Sequence, residues 1–220
     1  MLKLENVAFR HGRHPVLSGF SLEARAGEVL ALVGPTGCGK TTALRLLAGL
    51  EVPERGRVLV DGRVAAADGR LVIPPERRGV AMVFQRLALW PHMTVSGSLE
   101  FVMAARVPPA ERPARIRRIL GELGIADLAG RRPGGLSGGQ AALAAVARAL
   151  AQAPRALLLD EPFGGLDPEL REATRGKVFA LARGQGLAAV YVSHLREEIE
   201  RCADRVQEMG PVLSPLGPKG

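Results

Sequence analysis

Apolar and polar residues alternate from the start of the chain. Leu2, Leu4 and Val7 fall on one face of a strand, and the pattern stops at residues 11–15. Phe20, Leu22 and Ala24 alternate again before the turn Ala26-Gly27-Glu28. Val29, Leu30, Ala31, Leu32 and Val33 form an unbroken apolar run that ends at a glycine. Such a run marks a strand covered on both faces, as in a parallel sheet. The period then lengthens. Residues 41–50 put Leu44, Leu47 and Ala48 on one helical face, with Gly49 near the end. Val58, Val60 and Val64 flank Asp61-Gly62, the composition of a tight hairpin.

The middle of the chain changes character. Pro74-Pro75 and Pro108-Pro109 punctuate it, and Ile116, Ile119, Leu120 and Leu123 share one helical face over 114–124. Residues 140–151 repeat that pattern through Leu143, Val146, Ala147 and Leu150. Strand-then-helix alternation returns in the last third. An apolar strand over 156–159 ends in acids. Asp167-Pro168 starts a helix with Asp as its cap, and residues 188–192 form another covered strand before His194. Beyond residue 206, Gly and Pro occur without periodicity. The pattern predicts an α/β fold: a parallel-sheet core, an amino-terminal antiparallel β subdomain, and a mostly helical inserted subdomain over about residues 86–135. Residues 1–206 read as one domain and 207–220 as a loose tail.

Composition changes this picture little. The net charge is +8, and 26 of the 30 basic residues are arginine, spread along the chain in short clusters. Aromatics make up 4% and are not interleaved with the arginines, which argues against a stacking platform for single strands. The spread charge reads as a solvated surface, and nucleic acid is not an expected partner. Two cysteines, Cys38 and Cys202, exclude a disulfide framework or cysteine-rich zinc module and fit a reducing compartment. Residues 1–10 carry no signal-peptide core, and no uncharged apolar run is long enough to span a bilayer. The expectation is a cytosolic chain.

The chemistry begins at Gly34-Pro35-Thr36-Gly37-Cys38-Gly39-Lys40-Thr41, a G-x-x-x-x-G-K-[ST] phosphate loop between a covered strand and a helix. Its glycines let successive N–H groups curl toward anionic oxygens, and the helix directs its positive end to the same place. Lys40 adds a mobile charge for the outer phosphates, and the Thr41 hydroxyl can ligate Mg²⁺. Cys38 reads as a small loop filler, without a Cys or His partner at metal spacing. Asp160 and Glu161 end the strand over 156–159, at the carboxyl edge where open α/β sheets place ligands. Asp160 there can hold Mg²⁺, and Glu161 can polarise an attacking water.

With these motifs in place, the chain resembles the ATP-binding cassette ATPases. Leu136-Ser137-Gly138-Gly139-Gln140 is similar to the family's signature sequence and lies between phosphate loop and acidic strand. Gln85, after Met82-Val83-Phe84, resembles the Q-loop glutamine. Gly164-Gly165-Leu166-Asp167 resembles the D-loop, and His194, after Tyr191-Val192-Ser193, the switch histidine. The match runs from about residue 2 to about residue 206. The resemblance implies a phosphate-loop NTPase core that binds ATP and Mg²⁺. Residues 34–41 with Thr42 would hold the phosphates, and His11 falls where an aromatic stacks on adenine. Ser137, Gly138, Gly139 and Gln140, with Asp167, would close over ATP held by a second, identical cassette. Glu161, His194 and Gln85 would serve hydrolysis, and Thr41, Gln85 and Asp160 the metal.

The segment Leu89-Trp90-Pro91-His92-Met93-Thr94-Val95 resembles the stretch after the Q-loop in importer ATPases for sugars, polyamines, ferric iron, sulfate or molybdate. This implies that the helical insertion docks on membrane permease subunits at the cytoplasmic face of the membrane. A solute-binding protein would join through the complex. An exporter motor, a cassette acting on DNA or ribosomes, and a binding-only cassette remain as alternatives. Several positions depart from the family pattern: His11 at the adenine position, Ala142 and Leu143 after the signature, Gly164-Gly165 in the D-loop, and Leu195 after the switch histidine. None removes Lys40, Asp160, Glu161 or His194, so a competent ATPase is expected.

Overall fold

Strands β1 (Leu2–His11) and β2 (His14–Ala24) pair antiparallel through a hairpin. They open a computed structural model that describes residues 1–193, 199 and 202–210. Strand β3 (Val29–Val33) leaves them for a second sheet and feeds helix α1 (Lys40–Ala48). The chain returns to the first sheet with β4 (Arg55–Val60), β5 (Arg63–Ala67) and the short β6 (Arg70–Leu71), in the order β2-β1-β4-β5-β6. Asp61 and Gly62 join β4 to β5 with φ of 49° and 76°, the doubly left-handed turn that this pair favours.

Strand β7 (Val80–Val83) then enters the second sheet. Helices α2 (Val95–Met103), α3 (Arg112–Glu122) and α4 (Gly138–Leu150) follow. Strand β8 (Ala156–Asp160), helix α5 (Pro168–Gly184), β9 (Ala188–Ser193) and β10 (Arg205–Glu208) complete the described chain. This sheet is parallel throughout, in the order β10-β3-β9-β8-β7.

The unbroken apolar runs have a simple cause: β3, β8 and β9 each separate two cores. On β3, Val29, Ala31 and Val33 face the helices α2 to α5, while Leu30 and Leu32 face α1 and the antiparallel sheet. On β8, Leu157 and Leu159 take the first side and Ala156 and Leu158 the second. Both faces need apolar residues, so alternation disappears. Ala142 and Leu143 of α4, which depart from the family pattern, are both buried in the helical core, where an apolar side chain needs no partner.

The loose tail expected from residue 207 is corrected at its start. Residues 205–208 form β10, which pairs in parallel with β3. Met209 is buried, and its N–H donates to the Val33 carbonyl at 2.7 Å. Polar side chains hid this strand because it lies at the sheet edge, where Val206 alone packs inward. Asp204 ties its entry down. Its carboxylate accepts from the Val29 N–H at 2.7 Å and from Arg183 at 3.0 Å. The switch-histidine position His194, Leu195 and residues 211–220 lie outside the described residues.

Candidate functional site

The phosphate loop is shaped by what presses on it. Gly34, at φ 155°, would place a Cβ 2.3 Å from the Met209 carbonyl oxygen, so no side chain fits there. Gly39, at φ 101°, meets Leu17 and Val16 of β2 in the same way. The loop is thus clamped between Met209, just beyond β10, on one side and β2 on the other. Lys40 opens α1 and is buried. Its Nζ donates to the Gly34 and Pro35 carbonyls at 2.8 and 2.9 Å and lies 3.8 Å from Cys38 Sγ.

Helix α1 has no side-chain cap and no acid in its first turn. Its amino-terminal N–H groups and dipole are therefore left for an external anion. Thr41 Oγ1 donates to Asp160 Oδ1 at 3.0 Å, joining the loop to the end of β8. Asp160 is buried. Desolvation pushes its carboxyl above the ordinary carboxylate range, and the Thr41 hydroxyl works in the opposite direction. Glu161, one residue on, sits in the left-handed region at φ 48°, with its N–H on the Val192 carbonyl. A non-glycine residue held there costs on the order of 1–3 kcal/mol and turns the side chain off the strand direction.

Above these groups lies a cavity of about 540 Å³. Thr36, Gly37, Gly39, Lys40, Thr41 and Thr42 form its floor, and Gln85, Asp160 and Glu161 one wall. His11 and Val16 stand at its rim. The His11 ring meets Phe9 edge-on at 4.9 Å between centroids. The motifs brought together thus come from β1, the phosphate loop, the end of β7 and the end of β8. Val16 and the buttress Met209 were not legible as site residues, because their roles arise from tertiary approach and not from a motif.

The signature segment does not line this cavity. Ser137 caps α4: its hydroxyl accepts from the Gln140 N–H at 3.4 Å, and Gln140 Oε1 accepts from the Ser137 N–H at 3.0 Å. Gly138 packs against Leu166 and Gly139 against Leu170, so the start of α4 rests on the segment around Asp167. Asp167 caps α5 by accepting from the Leu170 N–H at 3.0 Å. These groups form a second helix amino terminus apart from the first.

Among the described residues no cluster of three or more His, Cys, Asp or Glu could hold a metal. The oxygen pair Thr41–Asp160 suits a hard cation that completes its shell with phosphate oxygens and water. Among the described residues, no helix is long and apolar enough to cross a membrane.

A phosphate loop and acidic strand end on a parallel sheet, with a separate capped helix start, define a nucleotide-binding cassette. The chain belongs to the ABC transporter family, whose model matches residues 17–164. It is 44% identical over 214 residues to the spermidine/putrescine import ATP-binding protein PotA of Methylococcus capsulatus, covering 96% of this chain and 54% of that one. It is 42% identical over 200 residues to the trehalose/maltose import ATP-binding protein MalK of Thermococcus litoralis, covering 90% and 54%. The chain spans about half the length of these curated relatives. Among solved structures, a dimeric bacterial ABC transporter cassette superposes with a TM-score of 0.81 at 28% identity, covering 96% of this chain and 94% of that one. An ABC transporter cassette in its ADP conformation gives 0.82 at 25%, covering 94% and 86%.

Proposed function

We propose that this chain is the ATP-hydrolysing motor of an ABC importer, working as a pair of cassettes beneath membrane permease subunits. The observation that carries the reading is the 3.0 Å hydrogen bond from Thr41 to Asp160, set beside Glu161 and Gln85 in the cavity over the phosphate loop. The importer names of PotA and MalK and the dimeric cassette favour the transport role over a cassette acting on DNA or ribosomes.

The loop N–H groups and the start of α1 bind the phosphates. Lys40 exchanges its two carbonyl acceptors for phosphate oxygens, so its charge is delivered without new chain ordering. Thr41, Asp160 and Gln85 would hold Mg²⁺, which supplies charge neutralisation on the phosphates when bound. Glu161 orients and deprotonates the attacking water, and His194 would contact the terminal phosphate. His11 at the rim offers the base a smaller stacking face than a six-membered ring. Ser137 to Gln140, with Asp167, would close over nucleotide held by the second copy, and residues 86–135 would receive the permease at the cytoplasmic face of the membrane. A solute-binding protein would join only through that assembly.

The test is phosphate release by the purified chain, with ATP binding measured separately. Lys40→Ala should abolish both. Glu161→Gln should bind ATP, accumulate as a dimer, and hydrolyse at least about 100-fold more slowly. A Lys40→Ala protein that turns over ATP like its parent would sink the assignment.

A further inference from the structure

Arg148 lies in the last turn of α4, on the helix that Ser137 caps. Its half-buried side chain reaches across to the segment that follows Gln85. Nη1 donates to the Ala88 carbonyl at 2.6 Å and Nη2 to the Leu87 carbonyl at 3.0 Å. The same guanidinium lies over the Trp90 ring, 4.9 Å from its centroid, and Trp90 meets Phe101 of α2 edge-on at 5.2 Å. Ala88 between these contacts is held in the left-handed region at φ 48°. Lysine could not reproduce this arrangement, because only a planar fork binds two consecutive carbonyls while its face stacks on an indole.

We propose that Arg148 is a positioning residue for Gln85, clamping residues 87–90 to the far end of the signature helix. The proposal rests on the motor reading above. Helix α4 is a rod of about 20 Å at 1.5 Å per residue. Any displacement of its Ser137 end on contact with a second cassette's nucleotide is carried to Arg148, and from there to the strained turn three residues after Gln85. Gln85 is then set by the state of both ends of α4. It does not depend on β7 alone.

Trp90 is the only tryptophan in the chain, so its emission reports on the clamp directly. The experiment compares the full chain with Arg148→Met and Arg148→Lys. Arg148→Met should lower kcat for ATP about 10-fold while KM changes less than about twofold, as expected when a reacting group is misplaced and ground-state binding is kept. Its Trp90 emission should shift to the red and become more accessible to acrylamide. Arg148→Lys should fall between, keeping the cation over the ring and losing the fork. In a Glu161→Gln background, ATP should shift the emission of the parent clamp and leave that of Arg148→Met unmoved.

Parent-like kcat or parent-like emission in Arg148→Met overturns the proposal. So does a joint loss of ATP binding and turnover, which marks a purely structural role. Should Arg148→Met fail to fold, Arg148→Lys decides by the same two readouts. A parent without turnover overturns the motor reading instead, and the clamp is then judged on emission alone.

Discussion

Lys40, Thr41, Asp160 and Glu161 carry the proposed chemistry, but their placement depends on residues with none. Gly34 is the clearest case, since the Met209 carbonyl occupies the space of any side chain. Gly34→Ala must push β10 away or distort the loop. We expect a loss of about 1–3 kcal/mol in thermal unfolding, with nucleotide affinity falling alongside it. The motif residues were legible in the sequence because their spacing is fixed by a local turn, whatever surrounds it. Met209 and Val16 were not, because nothing local marks a backbone carbonyl or a valine as the wall of a loop far away in sequence. The left-handed Glu161 was equally hidden, since nothing local in the sequence marks a glutamate for positive φ.

At the scale of elements, helices with strong periods and caps were read well. The Asp167 cap and the Asp61-Gly62 hairpin stand where their composition put them. Strand β10 was missed because a sheet edge asks for only one inward side chain. Its attachment makes a pH-dependent prediction. Desolvation pushes the Asp204 carboxyl up, but hydrogen bonds from Arg183 and Val29 and the Arg183 charge outweigh it and hold the carboxyl below its ordinary range. A carboxyl lowered in the folded state adds stability above its unfolded value, and that stability is lost as pH falls through the folded one. Asp204→Asn should therefore cost about 1 kcal/mol at neutral pH. Parent and variant should converge in urea unfolding only below the usual carboxylate range.

For the molecule as a whole, the joint between α1 and the antiparallel sheet is held by a buried cation. Arg78 is 3% exposed and donates to the carbonyls of Leu46 and Leu47 at the end of α1, of Ala65 on β5, and of Ile73. Burial pulls its pKa down to about 10, so it stays charged at neutral pH. A cation at the carboxyl end of α1 also suits the helix dipole. Arg78→Met would strand several buried acceptors, and we expect a loss of about 2–4 kcal/mol by urea denaturation. Sequence alone showed Arg77-Arg78 as one more short basic cluster, because burial is a property of the assembled fold. The order of strands has a consequence for biosynthesis. β3 leaves the ribosome early, yet its neighbour β10 is translated more than 170 residues later. The nucleotide cradle thus stays unfinished until the segment that carries Met209 has cleared the exit tunnel. Nascent chains halted before Asp204 should fail to retain ATP, while those halted well past Met209 should capture it.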